Sequence, residues 1–246
     1  MGKVRIGAAG WSIPKQHAAE FPADGTHLER YAGRFSAVEI NSSFYRPHKA
    51  GTYARWAASV PQDFRFAVKL PREITHLRRL NGTTEPLVRF LAEIQALGGR
   101  LGPVLVQLPP SLAYKEALAG AFLATLRERF DGRIVCEPRH PTWFTDAADR
   151  VLSQFQVARV AADPATVPDA AAPGGWPGLV YRRLHGSPKM YYSAYAAAEL
   201  DDVARSMHET AAYAAESWCI FDNTARGEAT ADALSLLART TAGNSA

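Results

Sequence analysis

The chain has 246 residues, 47% hydrophobic and 21% charged, with a formal net charge of +4 and an isoelectric point near 9.1. That balance suits a globular protein with one large core and excludes collagen-like, low-complexity and charge-driven disordered chains. Six of the 28 basic residues are lysine and the rest arginine; the bias fits planar anions such as phosphate and carboxylate, but codon composition explains it about as well, so charge alone does not indicate nucleic acid.

Eight runs rich in Val, Ile, Leu and Phe occupy 4–11, 35–44, 64–70, 103–108, 133–138, 157–163, 179–185 and 217–222. Each is nearly continuous in hydrophobicity, as buried parallel strands are. Helical spacing is clearest over 84–97, where Thr84 can cap, Pro86 sits in the first turn and Leu87, Phe90, Leu91, Ile94 and Leu97 form one stripe before Gly98. Residues 114–130, 200–215 and 227–242 behave alike. Strand alternating with helix about eight times predicts a single α/β domain over 1–246, a (β/α)8 TIM-type barrel, with a doubly wound open sheet as its rival and 243–246 as a disordered tail. Residues 164–178 carry too much Pro and Gly for a helix and predict a loop. Residues 186–197, with Lys189, Tyr191, Tyr192 and Tyr195, form a basic, aromatic loop that is a candidate lid.

Cys136 and Cys219 lie inside apolar runs, as small buried hydrophobes of a reducing compartment do. No run approaches transmembrane length and Met1-Gly2-Lys3-Val4-Arg5 opens no apolar leader, so a cytoplasmic protein with no membrane partner is expected.

The polar residues collect at one end of the strands. Gly10-Trp11, Glu39 and Asn41, Lys69, Gln107, Glu137 and Arg139, Asp163, Arg183 and His185, and Asp222 and Asn223 all stand at C-terminal strand ends. A buried strand avoids such residues unless they are paired or used. In a barrel those ends share the rim where active sites of that fold lie. Glu39 and Asn41, Glu137 and Arg139, and Arg183 and His185 are i, i+2 pairs, so both members of each face the same way. Facing inward, they would ring one cavity with mixed charge, which pushes pKa values apart as acid–base catalysis requires. An ion-pair network that only satisfies itself, with Glu137 and Arg139 as members, is the structural alternative. His76 is a further rim candidate, and Trp11 and Trp143 are either pocket walls or core. Ser111 reads as a cap rather than a nucleophile. No G-x-S-x-G elbow, P-loop, Rossmann glycine set or C-x-x-C zinc pattern is present.

Taken together, Gly7-Ala-Ala-Gly-Trp11, Val38-Glu-Ile-Asn-Ser-Ser-Phe-Tyr-Arg46, Phe66-Ala-Val-Lys69 with Thr75-His76, Leu101-Gly-Pro-Val-Leu-Val-Gln-Leu-Pro-Pro-Ser111, Glu137-Pro-Arg-His-Pro-Thr-Trp143 and Arg183-Leu-His-Gly186 resemble the YecE-like family, the domain-of-unknown-function family numbered seventy-two. The resemblance covers essentially the whole chain. It implies a TIM-type barrel, of the kind compared with xylose-isomerase-like and endonuclease-IV-like barrels, without a settled activity. It also implies that Glu39, Asn41, Lys69, His76, Gln107, Glu137, Arg139, Asp163, Arg183, His185 and Asn223 are the matching site positions. Two departures stand out: Ala8 and Ala9 replace a usual Thr-Ser, and Asp222 replaces a usual Asn.

The leading expectation is an enzyme acting on a small anionic substrate, phosphorylated or carboxylated. Glu39, Glu137, His185 and Asp163 would be catalytic, with Trp11, Asn41, Lys69, His76, Gln107, Arg139, Arg183, Asp222 and Asn223 binding the substrate. No cofactor is expected. A divalent metal held by Glu39, Glu137, Asp163, His185 and Asp222 is the second expectation, in a phosphodiesterase acting on nucleic acid. It is disfavoured because Lys69 and the arginines repel a cation. A non-catalytic metabolite-binding protein is the third.

Overall fold

In a computed structural model, which describes residues 2–242, the apolar runs become short strands joined by helices. The strands are β1 (Lys3–Ala8), β2 (Ala37–Ile40), β3 (Arg65–Lys69), β4 (Leu101–Gln107), β5 (Ile134–Glu137), β6 (Val157–Arg159), β7 (Ala161–Asp163), β8 (Gly174–Gly175), β9 (Leu179–Leu184) and β10 (Glu216–Phe221). The helices are α1 (His27–Ala32), α2 (Ala50–Ala58), α3 (Thr84–Ile94), α4 (Glu116–Arg127), α5 (Asp146–Gln154), α6 (Ala197–Thr210) and α7 (Glu228–Ala242). The expected tail at 243–246 lies outside the described residues.

The strands form two sheets, in the orders β1-β10-β9-β7 and β2-β3-β4-β5-β6-β8. Every pairing is parallel except that of β6 with the two-residue β8. The fold is therefore α/β with parallel sheets, and the hydrogen-bond ladder does not close into one ring. It is interrupted at two seams, each with an identifiable cause. Between β1 and β2 the buried Tyr31 hydroxyl is inserted, accepting from Ala8 N at 2.8 Å and donating to Ala37 O at 3.2 Å. One parallel bridge follows, Ala9 to Glu39, with Gly10 N donating to Glu39 O at 2.9 Å. Gly7 is needed here, because a Cβ would stand 2.0 Å from Ala37 O. The second seam is Val160, where the chain changes partner: β6 pairs with β5, and β7 pairs with β9.

Alternation along the strands sorts the core into two clusters. Ala37, Ala67, Leu105, Val135, Ala158, Val160, Tyr181, Trp218 and Ile220 meet on the face that the two sheets share, with Tyr181 and Trp218 stacked at 5.7 Å. The opposite faces pack on the helices, through stripes such as Leu87, Phe90, Leu91 and Ile94 of α3. Two residues further along the inner positions come Glu39, Lys69, Gln107, Glu137, Arg183 and Asp222, so the apolar inner layer ends and the polar layer begins within one pleat.

Three short helices do not stand out as sequence patterns. Of these, α1 is fixed by a capping box in which Thr26 Oγ1 accepts from Glu29 N and Glu29 Oε2 accepts from Thr26 N. Over residues 164–178 the expected loop contains one short turn, Pro168–Ala171, and β8.

Candidate functional site

The centre of the polar layer is Arg183, on β9 and 0% exposed. Its Nε and Nη2 donate to Glu39 Oε2 and Oε1 at 3.0 and 2.7 Å, a two-point pairing across the two sheets. Its Nη1 donates to Glu137 Oε2 at 2.6 Å, and Nη2 also reaches Asp222 Oδ2 at 2.9 Å. Thus one guanidinium serves carboxylates from β2, β5 and the end of β10. A buried charge survives only with such partners.

Second partners complete each carboxylate. Tyr181 OH donates to Glu39 Oε2 at 3.0 Å, and Gln107 Nε2 donates to Glu137 Oε2 at 3.3 Å. Arg139 Nε donates to Glu137 Oε1 at 2.9 Å. Burial opposes the charge on Glu137, but Arg183, Arg139 and His185 outweigh it and hold the carboxyl well below the usual range. Asp222 behaves alike, lowered against its burial by Arg183 and His185. Conversely, Tyr181 is pushed well up by burial and by Glu39, so it stays a donor.

His185 bridges two carboxylates: Nδ1 lies 3.0 Å from Asp222 Oδ2, and Nε2 lies 3.1 Å from Glu137 Oε1 and 3.0 Å from Arg139 Nη2. A neutral ring would donate to Asp222 and accept from Arg139, whereas an imidazolium would donate to both carboxylates.

Above this layer lies a cavity of about 480 Å³, whose lining includes Asn41, Phe44, Lys69, Arg72, His76 and Gln107. Asp222 and Tyr191 also line it. Lys69 is 5% exposed, and its Nζ lies 4.3 Å from the Phe44 ring centroid. Among the described residues it has no ion-pair partner, in contrast to every carboxylate below it. Burial pushes its ammonium down to about 8, Arg183 adds repulsion, and Glu39, Glu137 and Asp222 pull the other way. His76 is held low by burial and then by Lys69, Arg72 and Arg139. The buried Asn41 Oδ1 has no hydrogen-bond partner among the described residues.

The sequence candidates divide cleanly. Glu39, Glu137, Arg139, Arg183, His185, Gln107 and Asp222 form one network, and Lys69, His76 and Asn41 stand on the cavity above it. Trp11 lines a neighbouring opening of about 350 Å³, reached past Asn41, and packs edge-on against Trp56. Asp163 and Asn223 are not brought in. Ala158 and Val160 face the inner core, so Asp163, an odd number of residues on, takes the other face and accepts from Tyr195 OH at 2.8 Å. Asn223 follows the inward Asp222 and turns outward, donating to Ser193 O at 2.9 Å and Asp232 Oδ2 at 2.7 Å. Trp143 is buried, its indole N–H held by Leu112 O at 2.9 Å.

Tyr181, Phe44 and Arg72 are site residues that the sequence reading misses. Tyr181 stands two residues before Arg183 on one strand, a spacing that could have found it. The candidate lid is anchored, since Ala225 N donates to Tyr191 O at 3.1 Å and Gly186 N to Tyr195 OH at 2.9 Å. Gly186 has φ +91, and a Cβ there would meet Ser193 O at 2.7 Å. No helix among the described residues is long and apolar enough to cross a membrane.

The fold recurs in known proteins. Across 97% of this chain and 95% of the other, the fold superposes on a crystal structure of a DUF72 family protein from Enterococcus faecalis with a TM-score of 0.81 at 22% identity. It also superposes, with a TM-score of 0.52 at 15% identity, on 42% of a xylose isomerase-like TIM barrel/4-hydroxyphenylpyruvate dioxygenase fusion protein, covering 97% of this chain. The UPF0759 protein YecE of Escherichia coli is 33% identical over 166 residues, 65% of this chain and 59% of that protein. The chain matches between 50% and 59% of the length of its curated relatives. Residues 5–245 match the family model described as "Protein of unknown function DUF72", and the chain belongs to that family.

Proposed function

We propose that the chain binds a small anionic metabolite, phosphorylated or carboxylated, in the 480 Å³ cavity and acts on it as an enzyme by acid–base chemistry. One observation carries the reading: Lys69 and Arg72 are cations on the cavity wall without an ion-pair partner among the described residues, while the carboxylates below are all engaged. Lys69, Arg139 and Arg183 face Glu39, Glu137 and Asp222 at equal charge, so an arriving anion meets no uncompensated carboxylate. Asn41 Oδ1 offers an acceptor for a ligand hydroxyl.

In this reading Glu39 and Glu137 position Arg183 and Arg139 rather than transfer protons, since both are 0% exposed. Proton exchange falls to groups that reach the cavity: His76, Lys69, and Asp222 with His185 behind it. The same proposal takes the two sheets as an interrupted (β/α)8 ring joined at the Tyr31 and Val160 seams. It is supported by the Ala9–Glu39 bridge and by the likeness to a xylose isomerase-like barrel. The metal-dependent phosphodiesterase reading has less support, because the oxygen donors it needs already accept from arginine.

Thermal unfolding in rising inorganic phosphate, sugar phosphates and small carboxylates tests the reading. Stabilisation that depends on both Lys69 and Arg72 is expected, following mass action. No stabilisation by any of these anions would sink it.

A further inference from the structure

Lys69 differs from the other buried charged groups of the rim in having no ion-pair partner among the described residues. Both oxygens of Glu39 and of Glu137 are bound from within the protein. The Lys69 ammonium instead rests on the face of Phe44 and opens on the cavity. Its stem is fixed as the last residue of β3, where its own carbonyl accepts from the buried Ser43 hydroxyl at 2.7 Å. The same Phe44 ring meets the His76 imidazole edge-on at 4.9 Å. Thr75 Oγ1 holds His76 Nδ1 at 2.8 Å, which leaves Nε2 without a partner among the described residues. A lysine, an imidazole with a free nitrogen and an arginine, Arg72, thus line one cavity.

We propose that Lys69 is a nucleophilic amine that forms a Schiff base with a small aldehyde, ketone or 2-oxo acid carrying an anionic group. This inference rests on the anion-pocket reading and adds a covalent step to it. A lysine desolvated beside another cation is the setting in which an amine is neutral often enough near neutral pH to attack a carbonyl. Arg183 is that second cation, and burial is the larger cause of the downward displacement. The amine lone pair attacks the carbonyl carbon, and the carbonyl π pair moves to oxygen, which takes a proton from solvent to become a hydroxyl. The nitrogen gives a proton to His76 Nε2. His76 returns that proton to the hydroxyl, which leaves as water while the nitrogen lone pair closes the C=N bond. Amine, carbonyl and one proton give a protonated imine and water, so no oxidant or reductant is consumed.

The cavity supplies what the step needs besides the amine. Arg72 faces the anionic end of the substrate, and Gln107 Nε2 and Asn41 stand where polar groups of the substrate would lie. Asp222 limits the approach of a second anion. A carbonyl compound without an anionic group gains none of these contacts and is a poorer substrate.

The test incubates the full chain with pyruvate or glyoxylate and cyanoborohydride near pH 7, then maps the modified peptides by mass spectrometry. Expected is a product on Lys69 heavier by the probe's mass less one oxygen. It should form at least tenfold faster than on the exposed Lys15, Lys49 and Lys115, and excess phosphate should slow it. Even labelling of all lysines, or none at Lys69, overturns the inference. Phosphate-dependent thermal stabilisation is read in parallel. Stabilisation without the Lys69 adduct overturns the imine alone, loss of both overturns the pocket as well, and an adduct without stabilisation supports the imine and overturns the phosphate reading. Lys69→Arg, which keeps the cation, should keep the stabilisation and lose the adduct; should that variant not fold, peptide mapping of the unaltered chain still decides.

Discussion

Arg5 and Arg183 are both buried arginines on the inner side of the sheets, one near the start of β1 and one near the end of β9. They are completed in different ways. Arg5 donates to backbone, to Asp63 O at 2.8 Å and Ser36 O at 3.3 Å, and lies 5.8 Å from the Trp218 ring centroid. Glu216, at 3.5 Å from it, is shared with Trp218 Nε1 and Arg133. That end is closed by carbonyls, an indole and two carboxylates that each pair with a further cation, as a structural plug should be. Arg183 is surrounded by three carboxylates, and the excess negative charge it leaves is balanced by Arg139 and by Lys69, which faces a cavity. Arg5 is enclosed by protein on all sides and serves stability, whereas Lys69 opens on a cavity and is available to a ligand.

The largest expected effect separates the two ends. Arg183→Met strands Glu39, Glu137 and Asp222 and should cost about 4 kcal/mol in urea denaturation at pH 7. The deficit should shrink in acid. Glu137 and Asp222 sit below their ordinary values, so their contribution is present above the unfolded carboxylate range and is lost as pH falls through the native values. A constant deficit down to pH 3 would count against this network.

Lys69→Met should act in the opposite sense and stabilise the protein by about 3 kcal/mol, a tenfold weakening of proton binding being worth about 1.4 kcal/mol. The native amine releases its proton near 8 rather than at the ordinary 10.5, so the unfolded chain binds more protons between those values. Stability of the unaltered protein from this group therefore rises with pH across that window, and the advantage of Lys69→Met should vanish toward pH 10.5. Groups facing the amine are Arg183, Glu39, Glu137, Asp222 and His76. Arg5→Met, by comparison, should destabilise by about 2 kcal/mol, because two carbonyls lose a donor while Asp63 and Glu216 keep Lys3 and Arg133. Equal losses for Lys69→Met and Arg5→Met would erase the distinction between the two ends.

The smallest effect is on affinity. Asp222→Asn removes a carboxylate from the cavity wall and with it a repulsion on the bound anion, so at pH 7, where Lys69 stays protonated, sulfate should bind several-fold more tightly, on the order of 1 kcal/mol. Sulfate keeps its charge across this range, and its affinity for the unaltered chain should fall as pH rises through about 8. Calorimetric titration at pH 7 and pH 9 checks both.

Much of this is legible in the residues. The strand positions and their polar C-terminal ends follow from apolar runs bounded by Glu39, Lys69, Gln107, Glu137 and Arg183, whereas the break into two sheets does not. The shared orientation of Glu137 with Arg139 and of Arg183 with His185 follows from the pleat alone. Asp163 and Asn223 fall outside the site because standing at a strand end does not fix a side; counting from Val160 and from Ile220 places both outward. The pairing itself is not legible. Glu39 and Arg183 are 144 residues apart, and nothing local says that Arg183 takes three carboxylates while Lys69 takes none. Nor does the pattern of β1 and β2 reveal that a tyrosine hydroxyl from α1 stands between them.

The central claim is that Lys69 is the rim's available cation. Selective isotopic labelling of lysine, with an NMR titration of the Lys69 side chain with and without phosphate, measures it directly. A midpoint near 8 that rises when phosphate binds is predicted. An ordinary value near 10.5, unmoved by phosphate, would contradict it.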